Sequence, residues 1–162
     1  MARYEMRQKV WAIKDDFVIR DEAGAEAFRV KSKLLSFGDQ LTFEDVGGAE
    51  LACIKQKLAS WGPTYEIHRG GKVVAIVKKK LMSFRPKFDI EVPGGEDLEV
   101  VGKLTDHEYT LTRGGALVAT VSMRWFSVGD TYGIEIADGE DPVQVLATAV
   151  VIDMVCHADD RE

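Results

Sequence analysis

Eight basic side chains stand out as groups that can do chemistry: Lys31, Lys33, Lys78, Lys79, Lys80, Arg85, Lys87 and Arg124. They fall at or beside corresponding positions of a pattern that the chain repeats three times. In FRVKSKL, Phe28, Val30, Ser32 and Leu34 share one face of an extended segment, so Arg29, Lys31 and Lys33 share the other. Such an outward set suits an anionic headgroup, each Lys or Arg near an anionic membrane adding about 1 kcal/mol. Its plain alternative is a solvated outer face balanced by Asp and Glu.

The remaining candidates are weaker. Asp138, Glu140 and Asp141 cluster as hard-cation ligands do, but the stretch lacks the length and alternation of a calcium loop and reads as a turn feeding a helix. Asp153 interrupts an apolar run. A buried carboxylate costs several kcal/mol unless it is paired, so a backbone group or an Arg or Lys near the rim is its expected partner. His68, His107 and His157 occupy unrelated positions, and no Cys lies two residues from another, so no metal site and no cofactor are expected. Ser36, Ser83 and Ser127 recur at one repeat position as strand-exit residues rather than nucleophiles. The glycine pairs fit no phosphate-binding spacing. No catalytic constellation is readable.

The elements that must carry these residues follow from the repeat. Phe17–Leu58, Tyr65–Leu104 and Tyr109–Ala149 align on Phe17, Tyr65 and Tyr109, then on Gly24, Gly71 and Gly115, and on Val30, Val77 and Val121. A period of about 40 residues marks a repeated supersecondary unit. Each of the first two copies reads as four strands, with Ala23-Gly24, Gly47-Gly48, Gly70-Gly71 and Gly94-Gly95 at the breaks, where primed turns need positive φ at both central residues. With three strands in the third copy and an opening strand near Tyr4–Trp11, twelve are expected.

Where the last strand of the third copy belongs, Asp141, Pro142 and Gln144 stand as N-cap, N1 and N3, so the Asp oxygen caps and the Gln is expected to reach back. Val143–Cys156 is then apolar almost all round, and must be buried on every side or lie in lipid. About 15 residues span roughly 22 Å, short for a bilayer and right for the middle of a small barrel. Twelve strands leave a lumen too wide for side chains alone to fill. The expected architecture is a mainly β fold, a closed twelve-stranded antiparallel barrel around a central hydrophobic C-terminal α-helix, forming one domain over residues 1–162.

The net charge of −6 argues against general nucleic-acid binding, which depends on Lys and Arg neutralising phosphates. No signal peptide or membrane span is visible, and two cysteines, Cys53 and Cys156, are too few for a disulfide framework. A cytoplasmic protein, peripheral to the membrane if it binds lipid, is expected.

Four blocks carry a resemblance: MRQKVWAIKDDFVIRD (Met6–Asp21), FRVKSKLLSFGDQLTFED (Phe28–Asp45), IKQKL (Ile54–Leu58) and WFSVGDTYGIEIADGED (Trp125–Asp141). Together they resemble the LURP-one-related family of the Tubby C-terminal-like superfamily, which also holds the phospholipid scramblases. The resemblance implies the same barrel around a helix, and among its relatives binding of phosphoinositide headgroups through an outer basic surface. The functional expectation is a noncatalytic binding or scaffold domain that touches anionic phospholipid headgroups or a protein partner through its basic exterior. Two alternatives stand beside it: a small-molecule binder or enzyme with a rim cleft near Asp153, and a purely structural interaction module.

Overall fold

The computed structural model describes residues 1–11, 14–35, 38–57, 62–80, 87–123, 125 and 131–156. Twelve strands run up and down: β1 (Ala2–Trp11), β2 (Lys14–Arg20), β3 (Glu26–Leu35), β4 (Gly38–Asp45), β5 (Glu50–Gln56), β6 (Thr64–Arg69), β7 (Lys72–Lys79), β8 (Phe88–Glu91), β9 (Leu98–Lys103), β10 (Glu108–Arg113), β11 (Ala116–Ser122) and β12 (Thr131–Ile136). Each pairs antiparallel with its neighbours in sequence. β12 returns to β1, with Met6 opposite Tyr132, so the sheet closes into a barrel. The helix α1 (Pro142–Cys156) completes the chain.

The repeat has a physical meaning. Its aligned positions face each other across the first hairpin of each copy: Phe17 opposite Val30, Tyr65 opposite Val77, Tyr109 opposite Val121. All six are buried. An aromatic ring against a β-branched side chain is a favourable cross-strand pair, and three copies of it point inward at the helix.

α1 fills the lumen. Val143 and every residue from Val145 to Val155 are buried, with Leu146, Ala147, Ala149, Val150 and Val151 at 0% exposure. Full burial of each large aliphatic side chain contributes roughly 1.5–3 kcal/mol, so the helix is the centre of the core. Thr148, also fully buried, satisfies its hydroxyl by donating to the Gln144 carbonyl at 2.8 Å.

Two kinds of turn occur where one was expected. Gly70-Gly71 and Gly114-Gly115 have positive φ at both residues, as primed turns require. In the β2–β3 and β4–β5 turns only Gly24 and Gly48 do. There an aspartate does the rest: Asp21 Oδ1 accepts from the N–H groups of Ala23 and Ala25, and Asp45 Oδ1 from those of Gly47 and Ala49. An Asp oxygen mimicking a backbone acceptor fixes these longer loops without a second left-handed residue.

Candidate functional site: the lysine-bearing end of the barrel

Up-and-down topology sorts the connections between two ends. At one end α1 begins. Asp141 caps it by accepting from the Val143 N–H at 3.1 Å, and its other oxygen pairs with Arg69 at the end of β6. Glu140 pairs with Arg113 at the end of β10 at 2.6 Å, and Asp138 with the amino terminus at 2.8 Å. The acidic stretch is therefore a capping turn, as expected, but Gln144 does not reach back to the cap. Its Nε2 donates instead to the Val74 carbonyl of β7 at 3.4 Å, tying the helix start to the barrel wall. Asp21, Glu22, Glu96 and Asp97 occupy the turns of the same end, and Asp45 and Glu50 the strand ends beside them.

The opposite end, where α1 finishes, is built from different residues. Lys55 and Lys57 close β5, Lys79 and Lys80 close β7, Lys87 precedes β8 and Lys103 closes β9. All except the half-buried Lys79 are exposed. Because β5 to β9 are consecutive in the barrel, these six lysines form one arc of the rim.

The eight basic residues singled out by sequence divide accordingly. Lys79, Lys80 and Lys87 belong to the arc. Lys80 lies 3.2 Å from Asp89. Lys78, one residue further down β7, donates to Glu91 at 2.9 Å, which with the same carboxylate's charge raises its pKa. Lys31 pairs with Glu44 at 3.3 Å on β3, four strands round from β7 and so a third of the way about a twelve-stranded barrel. Lys33 continues β3, and nothing is described of its side chain; Arg85 and Arg124 lie outside the described residues, as do Ser36, Ser83, Ser127 and His157. Lys55, Lys57 and Lys103 were missed by sequence reading. The direction of each hairpin, countable from the repeat, was the signal that would have grouped them.

Beneath the arc sits a buried polar cluster. After β9 a single 3₁₀ turn, Leu104–Asp106, ends at His107 in the left-handed region with φ 52°. That turn delivers the imidazole onto the Tyr132 ring, centroids 4.4 Å apart and planes at 21°. Nε2 lies 2.5 Å from Asp153 Oδ1, and as a carboxylate only accepts, the ring N–H donates. Asp153 is 4% exposed. One partner is thus a histidine, which lies outside the backbone group, Arg or Lys expected, and His107 is not unrelated to the other candidates: the 3₁₀ turn brings together residues 46 apart. Tyr132 in turn donates to Met6 Sδ at 2.8 Å.

Burial, then the Asp153 charge, pushes the Tyr109 hydroxyl well above its usual value. Burial likewise raises the Cys156 thiol to about 11, with Lys79 pulling it down and Asp153 up. Both groups remain protonated at neutral pH, so neither is a ready nucleophile. His68 stands on the outer face of β6, its Nε2 3.6 Å from Glu66. A groove of about 440 Å³ lies beside the amino terminus, where the Arg3 guanidinium sits 4.6 Å from the Trp125 ring centroid, and one of about 360 Å³ runs past Cys53 and His68. Neither groove touches Asp153. Among the described residues, no three His, Cys, Asp or Glu side chains are arranged to hold a metal ion, and no helix is long and apolar enough to cross a membrane.

A family model described as LURP-one-related matches residues 2–153. The chain belongs to the LURP-one-related family. It is similar to a crystal structure of a protein from Arabidopsis thaliana, at 18% identity and a TM-score of 0.68, over 94% of this chain and 91% of that one. At that identity the likeness speaks for the barrel-around-a-helix fold alone. No curated protein matches the chain.

Proposed function

We propose that this LURP-one-related barrel is a noncatalytic binding domain that docks on anionic phospholipid surfaces through its lysine-bearing end. The observation that carries the reading is the β5–β9 arc, six lysines at or beside the ends of β5, β7, β8 and β9 in a chain whose net charge is −6. Acidic residues, Asp21, Glu22, Glu96 and Asp97 among them, stand in the turns of the far end, and a domain charged in this way orients in the field of an anionic surface. Each lysine near such a surface contributes about 1 kcal/mol, and the sum is screened within a Debye length of about 10 Å at 0.1 M salt. Binding is therefore weak, reversible and salt-dependent. The noncatalytic part rests on α1 occupying the lumen, where a wide barrel otherwise holds a ligand.

Flotation with phosphatidylserine-containing and pure phosphatidylcholine vesicles at low salt tests this. The protein is expected to float with the anionic vesicles only, and Lys80→Glu/Lys87→Glu/Lys103→Glu to abolish it. Binding to neither vesicle, or equally to both, removes the lipid reading and leaves a protein partner for the arc.

A further inference from the structure

A nucleophile stands in the groove of about 360 Å³ on the outer wall of the barrel, where β4, β5 and β6 run side by side. Ala52 and Ile54 of β5 join the core, so strand alternation turns Cys53 outward between them. Cys53 is nonetheless only 7% exposed, and a reagent reaches its sulfur through the groove. Gly70 and Gly71 line that groove too. A Cβ added at either would meet nothing within 4 Å, so its end beside the β6–β7 turn is open.

The side chains around Cys53 are of the kinds that activate a thiol. His68 of β6 is directly opposite it, which puts their Cβ atoms about 5 Å apart on one face of the sheet. Gln40 of β4 donates through Nε2 to the Cys53 sulfur at 3.3 Å. Glu66, on the same outer face of β6, has a carboxylate oxygen 3.6 Å from His68 Nε2. That nitrogen is buried and, among the described residues, has no hydrogen-bond partner, a cost that a structural histidine avoids and a working one carries. Lys55 adds a positive charge to the groove wall, and Glu50 a negative one. A thiol, a base across from it, a carboxylate beside the base and a donor on the sulfur form a nucleophile's setting. Cys156 has no such setting, and burial raises its thiol to about 11.

We propose that Cys53 is a modification site, a thiol that exchanges with a low-molecular-weight disulfide entering the groove. The thiol proton passes to a ring nitrogen of His68, and the Gln40 amide holds the resulting thiolate. The thiolate attacks one sulfur of the disulfide, so that an S–S bond to Cys53 forms as the disulfide's own S–S bond breaks. The departing half leaves as a thiolate and takes the proton from His68. Cys53 is oxidised to a mixed disulfide, and one small thiol is released reduced. The inference rests on the outer wall of β4–β6 and not on the membrane reading.

Glutathione disulfide added to the full-length folded protein tests it, with adducts located by peptide mass mapping. At pH 7 Cys53 is expected to gain the adduct at least about ten-fold faster than Cys156, whose thiolate fraction is far smaller. His68→Asn should slow Cys53 about ten-fold at unchanged melting temperature. The parent's rate should level off below about pH 8.5, the value of a free thiol, and that of the variant should keep rising through it. Gln40→Met keeps the bulk but drops the donor, and should slow exchange about five-fold, one hydrogen bond's worth, even if the histidine variant does not fold. Equal or faster reaction at Cys156, no adduct on Cys53 in the folded protein, or a rate and pH profile unmoved by either substitution overturns the proposal.

Discussion

The two ends of this barrel meet a similar requirement with opposite chemistry: five hairpins and the start of α1 are closed at one, six hairpins and its finish at the other. Where α1 starts, turns of glycine and aspartate are satisfied locally, and the carboxylates Asp141, Glu140 and Asp138 are tied to Arg69, Arg113 and the amino terminus at the surface. Where α1 ends, the charge that matters to stability is buried, Asp153 held by His107, while the surface above it carries lysines. One end is folded by its charges. The other gathers six lysines on one arc of its rim, Lys80 beside Asp89.

Breaking the element both ends share should have the largest effect. Leu146→Ala removes a fully buried side chain at the centre of α1, and a loss of about 2–5 kcal/mol in chemical denaturation is expected. Next comes the buried pair: His107→Ala removes a hydrogen-bond partner of the Asp153 carboxylate, at a cost of about 3 kcal/mol, the low end for a buried pair because the imidazole is partly exposed. His107→Asn, which tolerates the left-handed backbone, separates that loss from conformational strain. If the asparagine variant is as stable as the parent, the pair does not hold the helix end. The corresponding change at the acidic end, Asp141→Ala, loses an N-cap and a half-exposed ion pair, and about 1 kcal/mol is expected. A cost at Asp141 exceeding that at His107 would erase the contrast between the ends.

The smallest effect concerns Cys156. Its thiol is raised above the unfolded value of 9.0 to about 11, so the stability linked to it is fully present below about pH 9 and falls away as pH rises toward 11. Thermal melts of the parent and of Cys156→Ala should diverge only in that window, the variant losing less. Parallel melts from pH 7 to 11 would remove Cys156 from the account.

Much of the architecture was legible because its signals are periodic. Strand alternation, glycine pairs and a helix apolar on every side are local patterns, and Phe17, Tyr65 and Tyr109 repeat them closely enough to count strands. The turn chemistry was only half legible: Gly47-Gly48 looks like Gly70-Gly71 in sequence, and the difference lies in the Asp45 side chain two residues upstream. The His107–Asp153 pair left no local trace, since neither residue has a patterned neighbour and contact depends on how far the helix is threaded through the barrel. Lys33 and Lys80 occupy the same position of the repeat, yet β3 and β7 stand a third of a circumference apart, and only the closed strand order separates an arc from a scatter.

Charge reversal at each end in turn tests the central claim most directly. Flotation on anionic vesicles at low salt would compare Lys80→Glu/Lys87→Glu/Lys103→Glu with Glu22→Lys/Glu96→Lys/Asp97→Lys, both checked for unchanged melting temperature. The lysine-end variant is expected to lose binding and the acidic-end variant to keep or gain it. Equal loss from both, or loss from the acidic-end variant alone, would contradict an oriented domain that docks by its lysines.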